Sequence, residues 1–299
     1  MPEAQSLTIR ELWAQTAEAV GARSEARWLC EVATALDGEE FIVALDEQVT
    51  DRMVAHLDAM VARYRAGEPL QYVLGRWSFR RLDLAIDRRV LIPRPQTELV
   101  AEAAIELAAA VESPRLVADL GTGSGAIGLS LAAELPLDGT TVWITDASAD
   151  ALDVARSNLV GIGRAARNVR VAGGSWYAAL PSGERFDVIV SNPPYVADGS
   201  PELDESVAQW EPSEALLAGP DGLDAIREIV AGAPQHLAEG GWLLLEIGAD
   251  QGERVRRLYR DAGFIDIEIL TDLAGHDRIA LGRSVDVAVS RPDRRPSAT

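Results

Sequence analysis

The segment LVADLGTGSG at residues 116–125 decides the fold. Its apolar first half predicts a buried strand, and Gly121, Gly123 and Gly125 follow at the start of a predicted helix. Glycines are expected there because a side chain would block close approach of the backbone to a ligand. The start of a helix also offers free N–H groups and the positive end of the helix dipole. The segment therefore predicts a ligand-binding turn between a strand and a helix.

The chain around this turn alternates between strand-like and helix-like segments. The predicted strands are Leu116–Leu120, Thr141–Thr145, Val169–Val171, Phe186–Val190, Trp242–Ile247, Ile265–Leu270 and His276–Leu281. Helix-sized segments separate most of them, which predicts a mostly parallel sheet with helices on both faces. The last two strands have no such gap and are expected to pair antiparallel through a turn near Asp272–Gly275. The sequence thus predicts an α/β, Rossmann-like fold with a seven-stranded sheet.

The first 66 residues predict a small helical domain instead. Thr8 is a good cap for a helix that runs to Val20, and Thr50 is a good cap for a long helix that ends before Gly67. Between them, Ser24–Leu36 carries apolar residues at helical spacing. No strand-like alternation is present in this part of the chain.

A hairpin and a linker are predicted between the two domains. Leu82, Leu84 and Ile86 alternate with polar or small residues, which indicates a strand paired with Val73–Phe79. A proline-rich loop then leads into an alanine-rich helix at about Thr97–Val111. The predicted organisation is a helical domain at 1–66, the hairpin and linker at 67–114, the α/β domain at 115–284 and a disordered tail at 285–299.

Composition and charge disfavour several classes of protein for this chain. The formal net charge of −19 opposes direct binding to nucleic acid phosphates. Cys30 is the only cysteine, which excludes an internal disulfide and favours a reducing, cytoplasmic setting. The histidines, His56, His236 and His276, are scattered, so no metal site is expected. We also expect no membrane association, because no apolar run reaches the roughly 18 residues of a spanning helix and Met1–Arg10 does not resemble a signal peptide.

Two cofactors fit the glycine turn equally well. Asp146 ends the second strand of the predicted sheet, where a carboxylate can accept hydrogen bonds from both ribose hydroxyls. With Ala126, the turn also matches the G-x-G-x-x-G/A fingerprint of nicotinamide enzymes. At this point NAD and S-adenosylmethionine both remain open.

The motif Asn192-Pro193-Pro194-Tyr195 separates these two possibilities. It follows the fourth predicted strand, at the edge where open α/β sheets bind ligands. The two prolines fix the backbone around a carbonyl and an amide side chain. The motif matches the N-P-P-Y signature of methyltransferases that act on planar nitrogens, namely adenine, exocyclic amines of bases and glutamine side chains. The expected cofactor is therefore S-adenosylmethionine.

The residues of this motif suit methyl transfer to an amide or amino nitrogen. The Asn192 side-chain oxygen and the Pro193 carbonyl can accept hydrogen bonds from the two N–H groups of the nitrogen. These hydrogen bonds favour the positive charge that develops on the nitrogen. Tyr195 can pack its ring on the planar group. In-line positioning then supplies the chemistry without a strong base. The predicted catalytic residues are Asn192, Pro193 and Tyr195, and the predicted substrate-binding residues are Asn192, Pro193, Pro194 and Tyr195.

From about Gly67 to Gly282 the chain resembles the HemK/PrmC family, the peptide chain release factor glutamine N(5)-methyltransferases. The resemblance rests on Gly67–Tyr72, Ile92–Glu98, Asp119–Gly125, Asn192–Tyr195, Glu211-Pro212, Ala215-Leu216, Gly240-Gly241 and Leu243–Glu246. It implies a class I methyltransferase domain behind a small helical domain that recognises the substrate. It also implies methylation of the glutamine in the GGQ motif of class 1 release factors, with the release factor as protein partner.

The resemblance also assigns cofactor contacts by position. Asp146 would hold the ribose, Trp176 would flank the adenine, and Asn192 would lie beside the cofactor. The family usually has an acidic residue where this chain has Ser175, and Asp is common where it has Gln96. The residues that would line the methionine part of the cofactor are Gly121, Thr122, Gly123, Ser124 and Gly125.

Alternatives remain open at this stage. Arg94 serves either the substrate or the start of a helix. A glutamine methyltransferase acting on a large-subunit ribosomal protein would share every catalytic motif. A DNA or RNA amino-methyltransferase would need a basic groove that the acidic composition disfavours. A non-catalytic cofactor-binding module would have no use for Asn192–Tyr195.

Overall fold

The computed structural model describes residues 7–201 and 203–285. The described residues form two compact units: residues 7–77, 86–88 and 204–210 form the first, and residues 78–85, 89–201, 203 and 211–285 form the second. The predicted domain limits at 66 and 114 remain predictions. The predicted tail lies outside the described residues from position 286 onward. No helix within 7–201 or 203–285 has both the length and the apolar composition needed to cross a membrane.

The first unit is built from short helices. Thr8 and Thr50 cap the first and fourth of them by accepting backbone N–H groups, as predicted from their residue type. Phe41 and Leu29 are fully buried at the centre of this unit. Its helices before the hairpin are α1 (Ile9–Val20), α2 (Arg23–Thr34), α3 (Gly38–Val43), α4 (Asp51–Arg65) and α5 (Leu70–Leu74).

The hairpin differs from the prediction at its first strand. Strand β1 spans Arg76–Phe79 and strand β2 spans Leu82–Ala85, whereas the segment from Val73 was predicted to be extended. Val73 lies instead in α5, which begins after Pro69 and ends at Gly75 in the left-handed conformation. A proline at a helix start and a glycine behind its last turn favour this single helical turn.

The second unit is a seven-stranded sheet in the order β5-β4-β3-β6-β7-β9-β8. β9 runs antiparallel to both β7 and β8, and the other pairs are parallel. This confirms the predicted α/β sheet and its terminal antiparallel pair. The strands are β3 (Arg115–Leu120), β4 (Thr140–Asp146), β5 (Val169–Gly173), β6 (Phe186–Ser191), β7 (Leu237–Glu246), β8 (Ile265–Thr271) and β9 (Asp277–Arg283).

Helices connect these strands and cover the sheet. The buried face of α10 packs Ile226 and Ile229 against apolar residues of the central strands. The helices of the second unit are α6 (Pro95–Ala109), α7 (Ala126–Glu134), α8 (Ala149–Gly161), α10 (Asp224–Gly232) and α11 (Gly252–Asp261). The helix between α8 and α10 in the sequence, α9 (Glu205–Trp210), belongs to the first unit.

The topology creates one ligand-binding edge. After β3 the chain builds outward through β4 and β5, then returns to place β6 on the other side of β3. Ligands bind outside the carboxyl ends of strands at such a switch point. The ends of β3, β4, β6 and β7 bring together the glycine turn, Asp146, the Asn192–Tyr195 motif and Glu246.

Candidate active site

The glycine turn has a backbone that requires glycine. Gly121, Gly123 and Gly125 have φ angles of 68°, 56° and 89°, in the left-handed region that side chains disfavour. A Cβ atom at Gly125 would lie 2.7 Å from Leu129 Cδ1, whereas a Cβ atom at Gly123 would meet nothing within 4 Å. The backbone at Gly123 therefore faces open space at the ligand-binding edge.

Asp146 holds this turn from the neighbouring strand. Its Oδ2 accepts the Gly123 N–H at 2.9 Å, and its Oδ1 accepts the Ser148 N–H at 2.9 Å. Each carboxylate oxygen still has acceptor capacity for a ligand hydroxyl. The arrangement fits the predicted ribose contact.

Asp119 lies beneath the same turn and is completely buried. Its Oδ2 accepts the Thr122 hydroxyl at 2.5 Å and the Gly128 N–H at 2.9 Å. Its Oδ1 is buried without a partner among the described residues. Burial raises the pKa of Asp119 to about 7, and the charge of Asp146 adds to this rise. The two hydrogen bonds lower the pKa but do not offset the effect of burial. Asp119 therefore carries a proton more readily than an ordinary carboxyl group.

This environment predicts that the free energies of unfolding of the native protein and of Asp119→Asn differ by an amount that depends on pH. Between an ordinary pKa of 3.8 and the folded value of about 7, the unfolded chain loses its proton first. The free energy of unfolding of the native protein should therefore fall as pH rises through this window, while asparagine cannot ionise. We expect the variant to gain up to about 4 kcal/mol relative to the native protein between about pH 4 and about pH 8. Urea titrations of both proteins measure this, and parallel pH curves would contradict it.

Other residues predicted to contact the cofactor differ in how they face the site. The side chains of Thr122 and Ser124 are buried, so these residues can line the turn only through their backbone. Trp176 places its ring beside the turn, where its Cζ3 atom lies 3.2 Å from the Cβ position of Gly121. Ser175, at the position where the family usually has an acidic residue, is exposed.

The Asn192 side chain has a defined orientation. Its Nδ2 donates a hydrogen bond to Thr97 Oγ1 at 3.3 Å, from the end of β6 to the first turn of α6. Neither Asn192 Oδ1 nor the Pro193 carbonyl accepts a hydrogen bond from another residue in the described part of the chain. Both predicted acceptors for a substrate amide are thus available.

Tyr195 is fixed by hydrogen bonds at both its side chain and its backbone. Its hydroxyl donates to Glu246 Oε1 at 3.2 Å, and its carbonyl accepts the Gln251 Nε2–H at 2.9 Å. Burial, with the nearby charge of Glu246, raises the pKa of the Tyr195 phenol. The phenol therefore stays neutral and cannot act as a base near neutral pH.

Arg94 has a role that neither sequence alternative described. Its side chain does not cap α6 but pairs with the buried carboxylate of Glu211 at 2.5 Å. The other oxygen of Glu211 accepts the Ile92 N–H at 3.0 Å. The pair ties the proline-rich loop before α6 to the Glu211-Pro212 segment, so two motifs of the sequence stabilise each other.

The residues that sequence reasoning missed lie behind the predicted ones. Thr97 and Glu246 both belong to quoted motif segments, but the sequence alone gave neither of them a chemical role. Their contacts with Asn192 and Tyr195 place them directly beneath the predicted substrate site. Within residues 7–201 and 203–285, no cluster of three or more histidine, cysteine, aspartate or glutamate residues is placed to hold a metal ion.

Two family models match this chain. A model of the PrmC N-terminal domain matches residues 9–75, and a model of the methyltransferase small domain matches residues 101–210. The crystal structure of a methyltransferase from Pyrococcus furiosus has a TM-score of 0.50 at 17% identity and covers 75% of this chain and 98% of that chain, which is a likeness of fold alone.

Two curated relatives are similar over most of their length. The release factor glutamine methyltransferase of Xylella fastidiosa (strain Temecula1) is 47% identical over 225 residues, covering 75% of this chain and 80% of that protein. The release factor glutamine methyltransferase of Escherichia coli (strain K12) is 38% identical over 276 residues, covering 92% of this chain and 97% of that protein. With both domain models matched in order along the sequence, the chain belongs to the release factor glutamine methyltransferase family.

Proposed function

We propose that this chain transfers a methyl group from S-adenosylmethionine to the side-chain amide nitrogen of the glutamine in the GGQ motif of class 1 peptide chain release factors. The observation that carries the proposal is the pair of available acceptors, Asn192 Oδ1 and the Pro193 carbonyl, at the ligand-binding edge. The names of the curated relatives support the same substrate. A cytoplasmic enzyme fits the single buried thiol of Cys30.

The residues of the glycine turn fit S-adenosylmethionine. Gly123 leaves room for the methionine part against the backbone, and Asp146 presents carboxylate oxygens for the ribose hydroxyls. Trp176, beside Gly121, offers an aromatic face to the adenine. When bound, S-adenosylmethionine supplies an electrophilic methyl group on a positively charged sulfur.

The chain itself contributes orientation and electrostatics. Asn192 Oδ1 and the Pro193 carbonyl accept hydrogen bonds from the two N–H groups of the substrate amide. These contacts point the amide nitrogen at the methyl group. They reject the turned amide, because its oxygen would then face two acceptor oxygens. Tyr195 stays a neutral phenol and therefore does not take up the proton that the amide loses after transfer.

We also propose that the helical domain predicted at 1–66 binds the protein substrate and performs no chemistry. Val43, at the end of α3, is 84% exposed and adjoins the exposed Ile42. This exposed apolar pair is the candidate contact for the protein substrate. Val43→Asp is expected to raise KM for the intact release factor by about 10-fold with kcat nearly unchanged. This is the scale of effect expected when one well-buried side chain of an interface is lost.

Val160→Asp is the matched control for this prediction. Val160 is 81% exposed on α8 of the second unit, so the change in charge and exposure is the same. Steady-state kinetics with the intact release factor compare the two variants. Equal KM values for Val43→Asp and Val160→Asp would show that α3 does not contact the substrate.

Competition between acceptors tests the substrate proposal. Labelled S-adenosylmethionine is incubated with the protein and a mixture of release factors, large-subunit ribosomal proteins and bulk nucleic acid, which are then separated. The proposal predicts label in the release factor fraction. Label in the ribosomal protein or nucleic acid fraction instead would contradict it.

A further inference from the structure

The hydroxyl group of Thr97 lies between the Asn192 amide and the Glu246 carboxylate. It is buried in the first turn of α6, where it accepts the Asn192 Nδ2–H at 3.3 Å. It also lies beside the carboxylate of Glu246 at the end of β7 and lowers the pKa of that group. A hydroxyl has one proton to donate but can accept from several donors. Its single proton therefore decides how it interacts with each neighbour.

Glu246 acts as an acceptor in this arrangement. Tyr195 donates a hydrogen bond to Oε1 at 3.2 Å. Oε2 is buried and has no hydrogen-bond partner at ordinary hydrogen-bond geometry among the described residues. The Thr97 hydroxyl lowers the pKa of Glu246, which places it next to this carboxylate. Burial raises the pKa of Glu246, and hydrogen bonds from Thr97 and Tyr195 with the charges of Arg278 and Arg94 oppose this rise by favouring the carboxylate.

The direction of the Thr97 hydroxyl then fixes the Asn192 amide. With its proton directed to Glu246, Thr97 Oγ1 presents lone pairs to Asn192 and selects the NH₂ end of the amide. A turned amide would place Asn192 Oδ1 against Thr97 Oγ1 and compete with Glu246 for the proton. Asn192 Oδ1 is thereby left on the side where the substrate binds.

We propose that Thr97 and Glu246 are positioning residues that select which end of the Asn192 amide faces the substrate. The inference rests on the proposed function, since it concerns the orientation of the substrate glutamine. Glu246 accepts a hydrogen bond from the Thr97 hydroxyl, and the Thr97 oxygen accepts one from the Asn192 NH₂ group. Asn192 Oδ1 then makes the contact with the substrate. Neither Thr97 nor Glu246 needs to touch the reacting atoms.

Thr97→Val tests the relay, because valine keeps the shape of threonine without the hydroxyl. We expect kcat for release factor methylation to fall by about 10-fold or more, since the amide is then free to turn and swing. The dissociation constant for S-adenosylmethionine, measured by calorimetry, should stay within about 2-fold. Thr140→Val is the matched control, because Thr140 Oγ1 is also buried but has no hydrogen-bond partner in the described residues.

The Asn192→Ala background separates positioning from general stability. If Thr97 acts through Asn192, Thr97→Val should change kcat by less than about 2-fold in that background. Glu246→Gln replaces an acceptor by a group that also donates, and it serves if Thr97→Val fails to fold. Like Thr97→Val, it should lower kcat by about 10-fold in the native background and by less than about 2-fold in the Asn192→Ala background. Thr97→Ser should restore most of the lost turnover, because it restores the hydroxyl.

Two results would overturn the inference. The first is a kcat for Thr97→Val or Glu246→Gln within about 2-fold of the native enzyme. The second is the same fold-loss with and without Asn192, which would indicate a structural role. Failure of the proposed function is a separate result, because the native protein itself would then leave the release factor unlabelled.

Discussion

Asn192→Ala is expected to lower kcat for release factor methylation by about 100-fold or more, the scale for loss of one preorganised polar contact to a transition state. Asn192 Oδ1 has no other partner in the described chain, so the substitution removes an acceptor and disturbs no internal acceptor bond. The contact to Thr97 is lost as well. Stopped assays with cofactor and release factor both saturating measure the effect.

Asn192→Asp examines the other end of the same side chain. Aspartate keeps an acceptor but cannot donate to Thr97 Oγ1, as Asn192 Nδ2 does. We therefore expect it to lose activity too, by about 10-fold or more. Near-native turnover in Asn192→Ala at saturation would show that Asn192 is only a turn residue and that the proposed mechanism is wrong.

Asp146→Ala is expected to weaken S-adenosylmethionine binding by about 100-fold, because hydrogen bonds to a charged group contribute about 1.5–3 kcal/mol each. The substitution also frees the Gly123 N–H that Asp146 Oδ2 now accepts. Thermal stability should change little, since Asp146 is only partly buried at a strand end. Titration calorimetry measures the dissociation constant.

Asp150→Ala is the control for this change. Asp150 is an exposed carboxylate in the first turn of α8, close to Asp146 in the sequence. It should bind S-adenosylmethionine like the native protein. The native protein should not bind NAD, and unaltered cofactor affinity in Asp146→Ala would contradict the assignment of Asp146 to the ribose.

Periodicity and turn residues were sufficient to predict the main architecture. The seven strands, the caps at Thr8 and Thr50 and the antiparallel end of the sheet are local patterns that a sequence displays directly. Because ligands of such sheets bind at the carboxyl ends of strands, the placement of the glycine turn and Asn192–Tyr195 followed from topology.

Short elements were missed for a physical reason. α3 has 6 residues and α5 has 5 residues, so neither completes two turns of a helical hydrophobic pattern. Their formation depends on packing, as the complete burial of Phe41 in α3 shows. A single turn between Pro69 and Gly75 looks like the start of a strand when only alternation is considered.

The supporting contacts of the site could not be predicted because they join distant parts of the chain. Thr97 and Asn192 are 95 positions apart, and Arg94 and Glu211 are 117 positions apart. Local propensity carries no information on such pairs. Their residue types indicated polar function, but only the fold shows which partners they meet.

Localising the transferred methyl group tests the central claim most directly. Release factor is incubated with the native enzyme and S-adenosylmethionine, digested, and analysed by tandem mass spectrometry alongside an Asn192→Ala reaction. The account predicts one added methyl group on the glutamine of the GGQ motif, formed far more slowly by Asn192→Ala. A methyl group on any other residue, or an unmodified release factor after full incubation with the native enzyme, would contradict it.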